Sequence, residues 1–305
     1  MKRMIGLLAA TAGLLLGVPA GDHSPAPAGA KAAAPFASER VTIRTVGQGP
    51  DVILVPGLTS NPRIYEAMIA ALPGYRYHLV QVRGFSGTSA GANATGDVSS
   101  EVANELARYI REKKLARPAL IGHSMGGTIG LTLASRHPQA LGRLMVVDMA
   151  PFTGAFFGAK DAAEARTIVG RMQTQMAADP AASRAMMTQM ISAMVNNEAA
   201  RPAVLEDART SDPAVVARTF ADIQTTDLRE ALKAITVPVT VLYVKPAQAQ
   251  QMPDEAFDGM YRSQYANLAG VKLVRIPIAA HFIMLDAPAR FNAEVKTFLA
   301  PKGRP

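Results

Sequence analysis

Short apolar runs alternate with amphipathic stretches along most of the chain. The runs have the length of buried strands and lie at 51–55, 77–82, 119–122 and 143–147, after an alternating strand at 40–45. Segments whose apolar residues recur at helical spacing follow these runs, at about 62–72, 101–115 and 124–136. The clearest amphipathic face is in the second of these helices, where it consists of Val102, Leu106, Tyr109 and Ile110. This alternation predicts an α/β fold, a mostly parallel central sheet with helices on both faces.

The alternation stops between about 151 and 226, where the pattern is helical and contains no convincing strand. Strands and helices resume with apolar runs at 237–244 and 271–276 and a final amphipathic helix at 288–299. A helical stretch inside an α/β chain is most simply an inserted all-helical lid. We therefore divide the ordered chain into a core at 38–151, a lid at 152–226, and the rest of the core at 227–301.

The first residues have the pattern of an export signal. Lys2 and Arg3 precede the uncharged apolar stretch Ile5–Val18, and small residues follow at Val18-Pro19-Ala20. We predict a signal peptide at 1–20, with a second cleavage site at Ala28-Gly29-Ala30, then a flexible leader at 21–37. The apolar stretch is shorter than the ~20 residues of a membrane-spanning helix. The prediction is a periplasmic or secreted protein with no stable span after processing; a retained anchor is the alternative.

The amino-acid composition and charge exclude several kinds of functional site. The chain has no cysteine, which excludes disulfides, a thiolate nucleophile and cysteine-bound metal. Its histidines and carboxylates lack metal-site spacing, so neither a metal nor a cofactor is predicted. The net charge of +8 is dispersed, whereas a nucleic-acid surface needs clustered basic residues, so we expect no nucleic-acid partner. Nothing in the sequence indicates an oligomeric state.

Residues 122–126, Gly-His-Ser-Met-Gly, fit the pattern G-x-S-x-G at the point where an apolar strand gives way to a helix. A serine there lies on a sharp turn, and the residues two positions before and after it must be small. Gly122 and Gly126 satisfy this requirement, and Gly127 allows the helix to pack closely on the sheet. The alternative is a serine that only caps an ordinary helix.

This segment resembles the nucleophile elbow of α/β-hydrolase esterases and lipases, and further segments resemble the same family in the same order. They are Val55-Pro56-Gly57-Leu58 (the oxyanion loop), Gln81–Ser89 (the family's Asp-x-Arg-Gly-x-Gly-x-Ser turn) and Ala280-His281-Phe282 (the catalytic histidine). Two positions depart from the family pattern. Pro56 replaces the usual histidine, whose bracing of the loop is lost or supplied by another group, and Gln81 replaces a common aspartate.

The resemblance implies a role for each matching position. Ser124 would be the nucleophile and His281 its general base, because an unactivated serine needs a base to take its proton. The main-chain N–H groups of Leu58 and Met125 would form the oxyanion hole. A purely structural histidine is the alternative for His281.

The acid of the triad has two candidates, since the loop at 245–253 after the strand at 237–244 contains no carboxylate. Asp254 follows that loop, but it lies in the first turn of a predicted helix, where acids stabilise the helix dipole. Asp148 ends the strand at 143–147, and some members of the family place the acid there. We favour Asp148 as the acid, with Asp254 as the alternative. Two other possibilities stay open: a serine–histidine dyad without an acid, and an Asp148 that only braces the loop after it.

The lid contains six methionines: Met172, Met176, Met186, Met187, Met190 and Met194. They suit either ordinary packing or a deformable apolar surface over the substrate pocket. The resemblance implies a serine hydrolase that cleaves small to medium, mostly apolar carboxylic esters and needs no cofactor. The alternatives are hydrolysis of carbon–carbon bonds, lactones or amides, acyl transfer, and a non-catalytic binding protein that kept the fold.

Overall fold

The apolar strands form one seven-stranded sheet in the computed structural model, which describes residues 36–300 without the side chains of 176, 177, 180, 181, 183 and 184. The strands are β1 (Val41–Gly47), β2 (Asp51–Val55), β3 (Arg76–Val82), β4 (Ala119–His123), β5 (Arg143–Val147), β6 (Val239–Tyr243) and β7 (Lys272–Arg275). The predicted signal peptide at 1–20 and residues 21–35 of the predicted leader lie outside the described residues.

The sheet has the order β1-β3-β2-β4-β5-β6-β7, and only the pairing of β1 with β3 is antiparallel. Register brings the carboxyl ends of the central strands to one edge. Val55 pairs with Gly122, and Val147 pairs with both His123 and Leu242. The residues that follow β2, β4 and β5 therefore leave the sheet side by side, which confirms the predicted mostly parallel sheet.

The helices are α1 (Glu66–Ala71), α2 (Val98–Glu112), α3 (Met125–Arg136), α4 (Ala162–Ala178), α5 (Pro180–Ala193), α6 (Arg201–Thr210), α7 (Pro213–Thr225), α8 (Asp254–Gln264), α9 (Ile283–Asp286) and α10 (Pro288–Leu299). Short 3₁₀ helices lie at Pro62–Tyr65, Gly91–Ala94, Thr153–Phe157, Ala231–Ala234 and Ala247–Ala249. None of the described helices has the length and apolar character needed to cross a membrane.

Helices cover both faces of the sheet because strand side chains alternate between them. On β2, Ile53 and Val55 belong to one buried cluster, together with apolar residues of α2, α3 and α8. Val52 and Leu54 belong to a second buried cluster, with apolar residues of α1 and α10. The sheet is thus enclosed between two apolar cores, as the prediction required.

Two helix boundaries differ from the prediction for local reasons. Helix α2 begins at Val98 rather than 101 because Asp97 caps it, its carboxylate accepting the Ser100 N–H at 2.9 Å. The helix predicted at 62–72 is a 3₁₀ turn followed by α1. Its first turn is capped by Asn61, whose side chain accepts the Arg63 N–H at 3.0 Å.

The segment between β5 and β6 contains two 3₁₀ helices (Thr153–Phe157 and Ala231–Ala234) and α4–α7, and no strand in its described part. We call residues 152–226 the insert. Side-chain caps start two of its helices: Asp161 accepts two N–H groups of α4, and Asp212 accepts two of α7. The all-helical character predicted for this stretch is what the structure has; its role as a lid stays a prediction.

Candidate active site

Ser124 stands at the turn between β4 and α3 in an unfavourable backbone conformation. Its φ is 51° and its ψ is −120°, outside the regions that residues with a Cβ normally adopt. The Ser124 side chain makes no capping hydrogen bond to α3. An ordinary helix-capping serine would have extended backbone and a bonded hydroxyl. The geometry is that of a serine held out from the sheet edge by a strained turn.

Close backbone approaches explain the two glycines of this turn. A Cβ at Gly122 would lie 2.1 Å from the Gly126 carbonyl oxygen, and one at Gly126 would lie 2.2 Å from the Val55 oxygen. Both separations are far inside van der Waals contact with main-chain atoms. The small residues flanking Ser124 are therefore required by the approach of β2 and of the first turn of α3.

His281 and Asp148 meet at the same edge. The imidazole Nδ1 lies 2.6 Å from Asp148 Oδ2, a distance at which Nδ1–H donates to a carboxylate. Asp148 follows β5 with a φ of 53°, and its other carboxylate oxygen accepts the Val244 N–H at 3.0 Å. Its main-chain N–H is bonded to Leu242 at 2.7 Å. The end of β6 thus holds the aspartate that follows β5.

Asp254, the alternative acid, lies in a different environment. It begins α8, is largely exposed, and pairs with Lys245 at 2.9 Å and Arg275 at 2.7 Å. These two cations lower the pKa of its carboxyl below the usual value. Of the two aspartates, the structure brings Asp148 to His281 and places Asp254 in a surface ion pair.

His123 lies against His281, a contact that no pattern in the sequence predicts. His123 is fully buried; its Nε2 donates to the His281 carbonyl oxygen at 3.0 Å, and the two rings are 4.6 Å apart. Burial first, and then the neighbouring His281, hold the pKa of His123 well below its usual value. With this lowered pKa, His123 is a neutral imidazole. Because a carbonyl can only accept, its single proton lies on Nε2. His123 fixes the backbone of the His281 loop beside Ser124.

In the described part of the chain, no hydrogen bond of 3.5 Å or less joins the Ser124 hydroxyl to the His281 imidazole. Such bonds are often long outside the substrate complex and tighten when substrate binds.

The loop after β2 lies against Ser124 as the oxyanion-loop prediction requires. A Cβ at Gly57 would be 3.0 Å from both Ser124 Cβ and His123 Nδ1. Leu58 follows this glycine, and Met125 opens α3, where a main-chain N–H has no partner within the helix. Met125 thus directly follows Ser124, and Leu58 follows the glycine that lies against it; their role as oxyanion donors stays a prediction.

Tyr65 makes a buried contact at the start of this loop, directly before the position where the family histidine is missing. Its side chain is fully buried, and its hydroxyl donates to the Val55 carbonyl at 2.9 Å, directly before Pro56. Burial raises the pKa of Tyr65, so the hydroxyl keeps its proton for this bond. Sequence reasoning had no signal for it beyond an aromatic residue in an apolar helix.

The methionines of the insert do not share one environment. Met186 is 52% exposed, whereas Met194 and its neighbour Ile191 pack against the second core cluster. Met187 and Met190 are half-buried, Met172 is half-buried on α4, and the Met176 side chain lies outside the described residues. Within the described residues, no group of three or more histidine, aspartate or glutamate side chains is placed to hold a metal ion.

A serine on a strained strand–helix turn, with a histidine–aspartate pair at the same edge of a parallel sheet, defines the class of α/β-hydrolases. A model of the alpha/beta hydrolase family matches residues 52–294, most of the chain. The chain belongs to this family.

Two relatives carry the same name. The pimeloyl-(acyl-carrier protein) methyl ester esterase of Aeromonas hydrophila is 34% identical over 112 residues, 36% of this chain and 42% of that protein. Its counterpart in Vibrio vulnificus is 26% identical over 211 residues, 66% of this chain and 77% of that protein. The chain thus spans less than half of the first relative's length.

Among solved structures, an esterase from Exiguobacterium antarcticum superposes with a TM-score of 0.68 at 22% identity. The superposition covers 85% of this chain and 94% of that one. At this identity the likeness supports the fold, and the activity has to be argued from the site.

Proposed function

We propose that this chain is a serine hydrolase that cleaves carboxylic esters of small to medium, mostly apolar substrates through an acyl-enzyme at Ser124. The observation that carries the proposal is the 2.6 Å contact between His281 and Asp148, at the edge where Ser124 is held in its strained turn. Esterase relatives and the absence of any thiol in the sequence agree with it.

Each residue has a step to perform. Ser124 Oγ attacks the ester carbonyl while His281 Nε2 takes its proton, and Asp148 stabilises the imidazolium through Nδ1–H. The N–H groups of Leu58 and Met125 donate to the oxyanion. The tetrahedral intermediate collapses, His281 returns the proton to the leaving alcohol, and the acyl group stays on Ser124. Water, deprotonated by His281, then releases the carboxylic acid and restores the serine.

We also propose that the insert acts as a lid. Its Met194 carbonyl accepts the N–H of Phe282 at 3.2 Å, next to the proposed base, so the insert is fixed at the edge of the site. Replacing the half-buried Met190 by alanine should change the preference for acyl chain length more than it changes the melting temperature. An equal loss on every ester, in proportion to stability, would assign Met190 to packing alone.

The export prediction is proposed on the sequence pattern of residues 1–20. Expression of the full chain in a bacterium, followed by N-terminal sequencing of the recovered protein, should give a start near Gly21 or Lys31. Soluble cytosolic protein that keeps Met1 would contradict it.

The proposed activity is tested with a series of chromogenic esters of increasing acyl length. Ser124→Ala should lower the rate on the best ester on the order of 10⁶-fold, because nucleophile and base act as a unit. Ser135→Ala is the matched control: Ser135 lies on the same helix with its hydroxyl bonded within that helix, and its removal should leave the rate unchanged. Hydrolysis by Ser124→Ala at the wild-type rate would refute the proposal.

A further inference from the structure

A buried carboxylate of the insert reaches the loop proposed to form the oxyanion hole. Asp207 lies on α6 and is 3% exposed. Its Oδ1 accepts the Arg63 guanidinium at 2.7 Å and the Ser86 hydroxyl at 2.6 Å, and its Oδ2 accepts the Asn61 N–H at 3.3 Å. Three groups of the core thus converge on one aspartate that follows them by more than 120 residues in the chain.

Asn61 ends the loop that carries Leu58. The loop turns back through the Ser60 N–H, which donates to the Gly57 carbonyl at 3.2 Å. Its first end is fixed by the bond between Tyr65 and Val55, and its second end by the bond from Asn61 to Asp207. Pro56 has no N–H to add to this set. The loop is therefore held by side chains that lie outside it: Tyr65 at its first end, and Asp207 and Ser86 at Asn61.

Groups other than Asp207 also attach α6 to the core. The end of α6 and the residues after it make three other hydrogen bonds to the turn at 84–87. The Gly87 N–H donates to the Thr210 carbonyl, and the Asp212 N–H donates to the Gly84 carbonyl. The Ser211 hydroxyl accepts the Ser86 N–H. Burying a carboxylate is costly unless it is fully bonded, and replacing such ion pairs by apolar residues is often neutral or stabilising. The placement of Asp207 at the loop therefore indicates a role besides the attachment of α6.

We propose that Asp207 is a positioning residue for the oxyanion loop, which holds the Leu58 N–H in line with the Met125 N–H. The inference rests on the proposed serine hydrolase function. Because the oxyanion exists only in the tetrahedral states, a displaced Leu58 N–H weakens their binding and leaves substrate binding unchanged.

The test compares Asp207→Asn and Arg63→Met with a matched control, Glu206→Gln. Glu206 is the preceding residue on the same helix, is exposed and pairs with Arg209, so its charge is removed without touching the loop. Each variant is measured for kcat and KM on one chromogenic ester. Each is also measured for the affinity of two ligands: an alkyl boronic acid, which forms a tetrahedral adduct on serine, and the carboxylic acid product.

We expect Asp207→Asn and Arg63→Met to lower kcat at least about tenfold, since loss of one oxyanion donor costs about 10²–10³. The affinity for the boronic acid should fall by a similar factor. KM and the affinity for the product acid should stay within about twofold, and Glu206→Gln should match the wild type. A merely structural role would lower the melting temperature and leave the ratio of the two affinities at its wild-type value.

Wild-type affinity ratios and kcat in both variants would overturn the proposal. If Asp207→Asn does not fold, Arg63→Met decides alone, because Arg63 is 38% exposed and the Asp207 carboxylate keeps its bonds to the Ser86 hydroxyl and the Asn61 N–H. A wild-type protein that neither hydrolyses esters nor binds the boronic acid would instead refute the proposed function. The two failures are therefore distinguishable.

Discussion

The ends of β5 and β6 are neighbours in the sheet with different chemistry. At β5, Asp148 adopts a left-handed conformation and its carboxylate lies 2.6 Å from His281. At β6, the chain continues through Val244, whose N–H binds Asp148, to Lys245, whose buried ammonium binds the Met252 carbonyl and Asp254. The end of β5 carries the proposed acid. The end of β6 donates a hydrogen bond to it, and a lysine closes the loop that follows β6.

This difference shows what parallel pairing allows. Val147 and Leu242 are in register, so a carboxylate from either strand end would leave the sheet at the same place. The acid can therefore follow β5 instead of β6, provided that the neighbouring strand supplies a hydrogen-bond donor. Here the donor is a main-chain N–H, which side-chain substitution does not remove.

The largest expected effect separates the two aspartates. Asp148→Asn should lower kcat by about 10⁴-fold, because an asparagine favours the wrong tautomer of the histidine. Asp254→Asn should leave kcat within a few-fold of wild type, since its carboxylate contacts Lys245 and Arg275 instead. Both variants are compared on one ester, with melting temperature as the check on folding. A large loss in Asp254→Asn with little in Asp148→Asn would reverse the assignment.

A smaller effect tests Asp254 as a structural group. Its ion pairs lower the folded-state pKa below the usual 3.8, so its contribution to stability is present above that value. That contribution is lost as the pH falls through the lowered pKa. Asp254→Asn should therefore be slightly less stable than wild type at pH 7, and the difference should vanish in acid. Denaturant unfolding across this range measures it, and a difference independent of pH would contradict the explanation.

Sequence reasoning predicted the part of the molecule that follows from local pattern. The strands at 51–55 and 143–147 and the helix at 288–299 were predicted to the residue, because apolar patterning marks all three and prolines mark the ends of the first strand and the start of the helix. Strand order at the carboxyl edge then made Asp148 the favoured neighbour of His281. The helix start at Val98 was also readable, since Asp97 is an ordinary capping residue, but it was missed.

The supporting contacts could not be predicted in this way. Tyr65 and Val55 are ten residues apart across a strand end, and Asp207 and Asn61 are 146 apart. Neither pair follows a period or a motif, since each contact depends on how the insert and the first helix pack on the finished sheet. The same holds for His123, whose contact with His281 spans 158 residues.

The central claim is that Ser124 is an activated nucleophile, and covalent labelling tests it most directly. The purified protein is treated with a fluorophosphonate, and the modified residue is located by peptide mass spectrometry. We expect a single adduct on Ser124, which forms much more slowly in Asp148→Asn and is absent in Ser124→Ala. No adduct on the folded wild-type protein, or an adduct on another residue that persists in Ser124→Ala, would contradict it.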